Sequence, residues 1–90
     1  MSIVETAVTI TNKRGLHARS SAKFVGLAAT LGIKVNVKKD ANSVVGTSIM
    51  GLMMLGAAMG DTIMISAEGE GAAEAVAALV NLVATKFGEE

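Results

Sequence analysis

The chain is predicted to fold as an α+β domain whose 90 residues run in the order βαββαβα. Four short segments alternate apolar and polar residues, which is typical of strands with one buried face. Three further segments have apolar residues at helical spacing or are apolar nearly throughout. Because the outer residues of the predicted strands are polar, we expect a four-stranded antiparallel sheet with three helices on one face.

The first strand is predicted over Ile3–Ile10, where apolar and β-branched residues alternate with outward-facing ones. The polar run 12–15 is expected to form a loop. A helix begins at Ala18 and ends at Gly32, a residue type that commonly terminates helices. Two adjacent rows form the apolar side of this helix: Ala18, Ala22, Val25 and Ala29, with Phe24, Leu27, Ala28 and Leu31 beside them.

The remaining elements lie between glycine-rich or polar turns. We predict a strand over 33–38, a short third strand at Ser43–Val45 and a short helix from about 48 to 55, capped by Ser48 or Thr47. A fourth strand follows at Asp61–Ala67. The closing helix places five apolar residues on one face: Val76, Leu79, Val80, Val83 and Phe87.

Composition limits the possible functions. The chain has no cysteine, which excludes disulfides, thiolate zinc sites and cysteine nucleophiles. Only Phe24 and Phe87 are aromatic, so a large cofactor pocket is not expected, and we predict no cofactor. The N-terminus does not resemble a signal peptide, and the apolar stretch 49–59 is too short to span a bilayer. We therefore expect a single domain over 1–90, cytoplasmic, monomeric and without membrane insertion.

The charges are unevenly distributed although the formal net charge is zero. Seven of the eight basic residues lie between Lys13 and Lys39. Most of these charges suit a solvated surface of mixed sign, but one group surrounds the only histidine in the sequence: Lys13, Arg14, Arg19 and Lys23. Without aromatic residues for base stacking or a longer basic stripe, this group does not predict a nucleic-acid interface.

His17 stands where the predicted loop becomes a helix. A helix start exposes unpaired backbone N–H groups and the positive end of the helix dipole, so the backbone of Ala18, Arg19 and Ser20 can hold a phosphate. A neutral imidazole is nucleophilic toward phosphorus, and the Arg19 side chain can donate a charge-assisted hydrogen bond to phosphoryl oxygens. The residues themselves allow two interpretations, a phosphoryl-accepting histidine or a surface histidine at a helix start.

Other chemistries at His17 are disfavoured. No second histidine, cysteine or acidic pair lies close in sequence, so no metal site is predicted. A serine hydrolase triad is not predicted either, because so small a domain offers little room for an enclosed substrate pocket.

Two segments, Ile10–Arg19 and Thr47–Gly56, resemble the two signatures of the HPr family, the histidine-containing phosphocarriers of the phosphoenolpyruvate-dependent phosphotransferase system. The Thr-Asn-Lys lead-in at 11–13 is more similar to the nitrogen-related branch, called NPr. The resemblance covers nearly the whole chain and implies an open-faced sandwich. It also implies that enzyme I phosphorylates Nδ1 of His17, that Arg19 stabilises the phosphoryl group, and that IIA-type proteins receive it. The chain would then be a carrier and not an enzyme.

The sequence departs from this family at Ser20, where proline usually follows the His-Ala-Arg segment. Proline near a helix start preorganises the first turn. Serine loses that rigidity but adds an amide donor and a hydroxyl, which we expect near the phosphate. The expected effect is a tuned lifetime or affinity of the phosphorylated state.

The short second helix is apolar nearly all round. A short helix on one face of a small domain cannot bury every side, so part of it should be exposed, although the sequence alone allows all of it to be core. We predict that Ile49, Met50, Leu52 and Met53 belong to a surface that docks enzyme I and IIA proteins, since methionines repack against different partners. Ser48 is either a plain N-cap or, as the resemblance implies, the site of HPr kinase/phosphorylase.

A second functional hypothesis remains open. The chain could be a regulatory protein-binding module of the nitrogen-related branch, controlled by phosphorylation at His17 or Ser48. The presence of His17 with Arg19 favours the phosphoryl relay, and the sequence does not distinguish sugar uptake from nitrogen regulation.

Overall fold

The structure, a computed structural model, describes residues 2–89 and has the predicted element order. Seven helices and strands are followed by a short 3₁₀ turn at Lys86–Gly88. In chain order they are β1 (Ile3–Thr9), α1 (Ala18–Thr30), β2 (Val35–Lys39), β3 (Asn42–Val45), α2 (Ile49–Met54), β4 (Thr62–Glu68) and α3 (Ala72–Ala84).

The four strands form one antiparallel sheet in the order β1-β4-β2-β3. Along β4, Ile63 and Ile65 are buried while the intervening Met64 is only half-buried, as the alternating sequence predicts. Ile65 pairs with Val37 of β2, which is also fully buried. This inner face packs under the helices, and the predicted open-faced arrangement of four antiparallel strands and three helices is confirmed.

The core unites residues from the sheet and all three helices. Its two largest side chains are the only aromatics, Phe24 of α1 and Phe87 of the 3₁₀ turn, which are 0% and 1% exposed. Leu79 and Val83 of α3 lie in the same cluster. Both aromatic side chains of the sequence therefore lie in the core.

The apolar side of α1 differs from the one predicted. Phe24 and Ala28 are buried as expected, but Ser20 and Ser21 are buried with them. Three predicted core residues of this helix are exposed instead: Ala18, Ala22 and Ala29. The reason is that alanine adds little apolar area, so the orientation of the helix follows Phe24 and not the alanine row.

Phe87 is buried, but it does not belong to the closing helix. α3 ends at Ala84, and Phe87 reaches the core from the 3₁₀ turn with a left-handed backbone at φ 56°. Apolar periodicity along a helix cannot reveal such a turn, because the residue returns to the same side of the sheet by a different path.

Candidate functional site

His17 is itself the N-cap of α1. Its backbone is extended, at φ −91° and ψ −174°, and its Nδ1 accepts a hydrogen bond from the backbone N–H of Arg19 at 3.3 Å. The ring and Ser20 form a reciprocal capping box, in which the Ser20 hydroxyl accepts the backbone N–H of His17 at 3.0 Å. Histidine is an uncommon cap, so Nδ1 here takes the place that a serine or aspartate oxygen usually fills.

The Ser20 hydroxyl is directed into the protein. It is fully buried and donates to the carbonyl oxygen of Gly15 at 2.7 Å, while also accepting from His17. The expectation that this hydroxyl lies near the phosphate is wrong, because backbone groups already occupy it. The hydroxyl instead fastens the first turn of α1 to the preceding loop, which supplies by hydrogen bonding the order that proline would supply by its ring.

The loop before His17 is held against the segment that follows α2. Leu16 is buried, and its backbone N–H donates to the carbonyl oxygen of Ala57 at 2.9 Å. Gly15 has a left-handed backbone at φ +64°, and a Cβ added there would lie 2.3 Å from the same Ala57 oxygen. Only glycine combines this backbone conformation with so close an approach to Ala57. The contact therefore fixes the position of the loop end from which the His17 side chain projects.

The second ring nitrogen of His17 contacts a residue that the sequence did not single out. Nε2 lies 2.9 Å from Oε2 of Glu89, and the other carboxylate oxygen accepts from Nδ2 of Asn12 at 3.1 Å. Burial raises the pKa of Glu89, but hydrogen bonds with His17 and Asn12, together with the charges of His17 and Lys23, hold the pKa below its usual value. Glu89 lies 72 residues from His17 in sequence, so no local motif could have revealed the contact.

The four basic residues predicted to surround His17 do so. A cavity of about 360 Å³ is lined by His17, Glu89, Gly88 and these four side chains: Lys13, Arg14, Arg19 and Lys23. Within residues 2–89, none of the four basic groups forms a salt bridge with a carboxylate. The cavity therefore combines a nucleophilic ring nitrogen, helix-start amides and positive charge, which is the chemistry that a phosphoryl group requires.

Ser48 caps α2, as one of the two predicted possibilities. Its Oγ accepts the backbone N–H of Gly51 at 2.9 Å. Ser48 does not line the His17 cavity. The structure thus places it at a separate helix start, on an element that packs against α1.

Most of α2 is exposed, and we call its four exposed apolar residues the methionine surface: Ile49, Met50, Met53 and Met54. Met50 and Met54 are 70% and 80% exposed. The prediction that Leu52 belongs to this surface is wrong, because Leu52 is 0% exposed and lies in the core. In so short a helix Leu52 and Leu55 form the buried side, and Met54, absent from the predicted set, takes an exposed position.

Metal-ligand clusters and membrane-spanning helices are both absent from residues 2–89. No group of three or more histidine, cysteine, aspartate or glutamate side chains there is arranged to hold a metal ion. In the same part of the chain, every helix is too short or too polar to cross a membrane.

Comparison with known proteins gives a consistent assignment. Residues 4–85 match the family model described as PTS HPr component phosphorylation site. The HPr phosphocarrier of Pseudomonas aeruginosa is 47% identical over 83 residues, which cover 91% of this chain and 92% of that protein. The NPr phosphocarrier of Shewanella violacea is 37% identical over 89 residues, which cover 99% of this chain and 98% of that protein.

Solved structures agree with the sequence relatives. The crystal structure of HPr-C-His from Thermoanaerobacter tengcongensis has a TM-score of 0.91 and 46% identity, and it covers 97% of this chain and 98% of its own. A structure described as an HPr dimer from the same organism has a TM-score of 0.75 and 46% identity, covering 91% of this chain and 94% of its own. On sequence, fold and extent of coverage, the chain belongs to the HPr family of phosphocarrier proteins.

Proposed function

We propose that this chain accepts a phosphoryl group from enzyme I on Nδ1 of His17 and passes it to IIA-type proteins of the phosphotransferase system. The observation that carries this proposal is the position of Nδ1, which accepts the backbone N–H of Arg19 in the first turn of α1, on a ring that lines a cavity with four basic side chains. The HPr relatives are named phosphocarriers, which are carriers and not enzymes.

The first turn of α1 supplies the phosphoryl site. When the Nδ1 lone pair forms a bond to phosphorus, the amides of Ala18, Arg19 and Ser20 can donate to phosphoryl oxygens, because the N–H groups of a first helical turn have no partner within the helix. The Arg19 side chain lines the cavity and can add a charge-assisted hydrogen bond. Transfer onward reverses this step, with the acceptor's nucleophile taking the phosphoryl group and His17 regaining its lone pair.

The methionine surface serves as the docking surface for both partners. Four exposed apolar side chains on one short helix form a contiguous apolar patch, and such patches mark interaction sites. Methionine adapts to partners of different shape. We assign these four residues to this docking role, which adds Met54 to the predicted set and removes Leu52, since the Leu52 side chain is buried.

Ser48 is proposed as a regulatory phosphorylation site for HPr kinase/phosphorylase in organisms that contain this enzyme. Its hydroxyl caps α2 and borders the methionine surface, so a phosphate there would add negative charge beside an apolar docking surface. The regulation would act on partner association and leave the chemistry at His17 intact.

The branch of the system is a separate question. Relatives named HPr and NPr both match over nearly the whole chain, so both the sugar and the nitrogen branch are compatible with the relay. The alternative function is a regulatory binding module of the nitrogen-related branch that uses the same surfaces without relaying phosphate. We further propose that residues 1–90 act as one cytoplasmic, monomeric domain, and the shared core of sheet and helices supports the single domain.

A relay assay tests the proposal. The protein is incubated with phosphoenolpyruvate and catalytic enzyme I, and then with a IIA-type protein of each branch in turn. A phosphocarrier takes up one equivalent of label and loses it when the correct IIA protein is added. A binding module would form a complex with a partner but would transfer no label, and the acceptor that discharges the label identifies the branch.

A further inference from the structure

The two ring nitrogens of His17 have different partners, and this difference determines where the ring holds its proton. Nδ1 accepts a hydrogen bond from the backbone N–H of Arg19, so this nitrogen must present its lone pair. Nε2 lies 2.9 Å from Oε2 of Glu89, and an ionised carboxylate can only accept hydrogen bonds. A neutral His17 ring in this arrangement holds its proton on Nε2 and its lone pair on Nδ1.

The Glu89 carboxylate is held in place from its other side. Oε1 accepts from the side-chain amide of Asn12, which is 1% exposed and also donates to the carbonyl oxygen of Gly15 at 2.9 Å. Burial raises the pKa of Glu89, yet its hydrogen bonds with His17 and Asn12 and the nearby positive charges leave the pKa below its usual value, so the group is ionised at neutral pH. The carboxylate is thus a fixed anion and not a freely moving terminal side chain.

The backbone that brings Glu89 to the ring is itself specified by the fold. Lys86 and Phe87 both have left-handed backbones, at φ 61° and 56°, which residues with side chains rarely adopt. The Phe87 side chain is buried in the core, and its carbonyl oxygen accepts from Nζ of Lys23 at 2.8 Å. Packing and this hydrogen bond hold the unusual turn that directs residue 89 back to α1.

On the basis of the proposed function, we infer that Glu89 is a positioning residue that directs the phosphoryl group to Nδ1 of His17 and balances the charge the ring then acquires. In the step, the Nδ1 lone pair forms the N–P bond. The bond between phosphorus and the donor's leaving group breaks, and its electron pair stays with the leaving group. The Nε2 proton stays on the ring, which becomes an imidazolium, and Glu89 accepts its hydrogen bond throughout. An orienting carboxylate acts on histidine in the same way in serine hydrolase triads.

Glu89 also shields the nitrogen that is not used. The His17 side chain is only 15% exposed, and the carboxylate lies against Nε2. An electrophile reaches Nε2 only after this contact is broken. The distribution of label between the two ring nitrogens should therefore depend on Glu89, and it can be measured.

Phosphoramidate, a small phosphoryl donor that needs no protein partner, tests this inference separately from the enzyme I relay. The parent is compared with Glu89→Gln, Glu89→Ala and Glu89→Asp, and with Glu70→Gln as a control at an exposed acid in the turn before α3. The measurements are the initial rate of His17 phosphorylation and the distribution of label between the two nitrogens, read by phosphorus and nitrogen NMR. Amide spectra report whether each variant is folded. The effect of the carboxylate on the rate is read from the isosteric variant Glu89→Gln relative to the parent.

We expect label only on Nδ1 in the parent and in Glu70→Gln. Glu89→Gln should react about tenfold more slowly, the range typical of groups that orient a reacting histidine. Glu89→Ala should carry label on both nitrogens, and Glu89→Asp should keep the preference for Nδ1. Parent rates with label on Nδ1 alone in both the glutamine and the alanine variant would overturn the inference, as would a parent labelled on Nε2. If phosphoramidate gives the expected pattern while enzyme I does not label the parent, the inference is supported and the proposed function fails.

Discussion

The hydroxyl of Ser20 donates to the carbonyl oxygen of Gly15 across 2.7 Å, and this bond joins the first turn of α1 to the loop that precedes His17. The same loop is held from the other side, where the backbone N–H of Leu16 donates to Ala57. His17 therefore leaves a loop that is fixed at both of its faces. The backbone N–H of Arg19 orients Nδ1 and the Glu89 carboxylate orients Nε2 before any partner binds, which lowers the ordering cost of the transfer step.

Replacement of Gly15 by alanine tests whether this loop must approach so closely. The new Cβ would lie 2.3 Å from the Ala57 oxygen on a left-handed backbone, so we expect the free energy of unfolding to fall by about 2 kcal/mol or more. Gly26→Ala is the matched control, because Gly26 lies in α1 with no atom within 4 Å of the added Cβ. The control should gain about 0.5–1 kcal/mol. Urea unfolding measures both, and equal effects of the two variants would contradict the account of the loop.

A charge placed on the methionine surface at Met50 tests its docking role. Met50 is 70% exposed, so Met50→Glu should leave the unfolding free energy nearly unchanged while raising the apparent KM for this protein in the enzyme I reaction. Ile3→Glu is the control, because Ile3 is 65% exposed on the edge strand β1. Leu52→Ala should instead cost about 2–5 kcal/mol, as expected for a buried leucine. A Met50→Glu protein that transfers phosphate as the parent does would remove Met50 from the docking surface.

A negative charge at Ser48 is predicted to act on association. Because the first-turn N–H groups of α2 can donate hydrogen bonds to an anion, Ser48→Asp should fold, and its cost should appear as a higher KM with a smaller change in kcat. Ser48→Ala loses the hydrogen bond with Gly51 and should lose about 0.5–2 kcal/mol of stability while phosphate transfer continues. Steady-state kinetics with enzyme I measure the difference. A kcat that collapses at constant KM would place Ser48 in the phosphoryl chemistry and contradict the docking account.

Two carboxylates predict how the fold responds to acid. The Ala58 backbone N–H holds the pKa of Asp61 below its usual value of 3.8, against partial burial and with help from Lys39. For Glu89, burial raises the pKa, but the contacts with His17 and Asn12 hold it below 4.5. A group with a lowered pKa stabilises the fold above its usual pKa, and this stability is lost as the pH falls through its pKa in the folded state. The urea midpoint of unfolding should therefore decrease as the pH is lowered below about 5, and it should decrease less steeply in Asp61→Asn and Glu89→Gln than in the parent. A parent with equal slope to both variants would contradict this assignment.

Local patterns predicted most of the fold and part of the site. Alternation located the strands, and the helix start at Ala18 followed from the change of period at that residue. The side chains of α1 were predicted less well, because alanine rows resemble a core face although Phe24 decides the orientation. Leu52 could not be separated from its methionine neighbours by composition, since every residue around it is apolar or glycine.

Glu89 illustrates what a sequence cannot show alone. Its contact with His17 depends on three consecutive residues with positive φ, Lys86, Phe87 and Gly88, and on the burial of Phe87, which no periodic pattern encodes. The buried role of Ser20 was equally hidden, because a serine in the first turn can point to solvent or back to the loop. In both cases a tertiary contact determined the result.

The most direct test of the account is the chemical identity of the label that enzyme I places on this protein. After incubation with phosphoenolpyruvate and enzyme I, the parent should carry one phosphoryl group that is acid-labile and base-stable, as a phosphoramidate bond to imidazole is. Mapping should place it on Nδ1 of His17, and His17→Ala should remain unlabelled while it keeps its fold. Acid-stable label, or label that persists in His17→Ala, would contradict the claim that His17 carries the phosphoryl group.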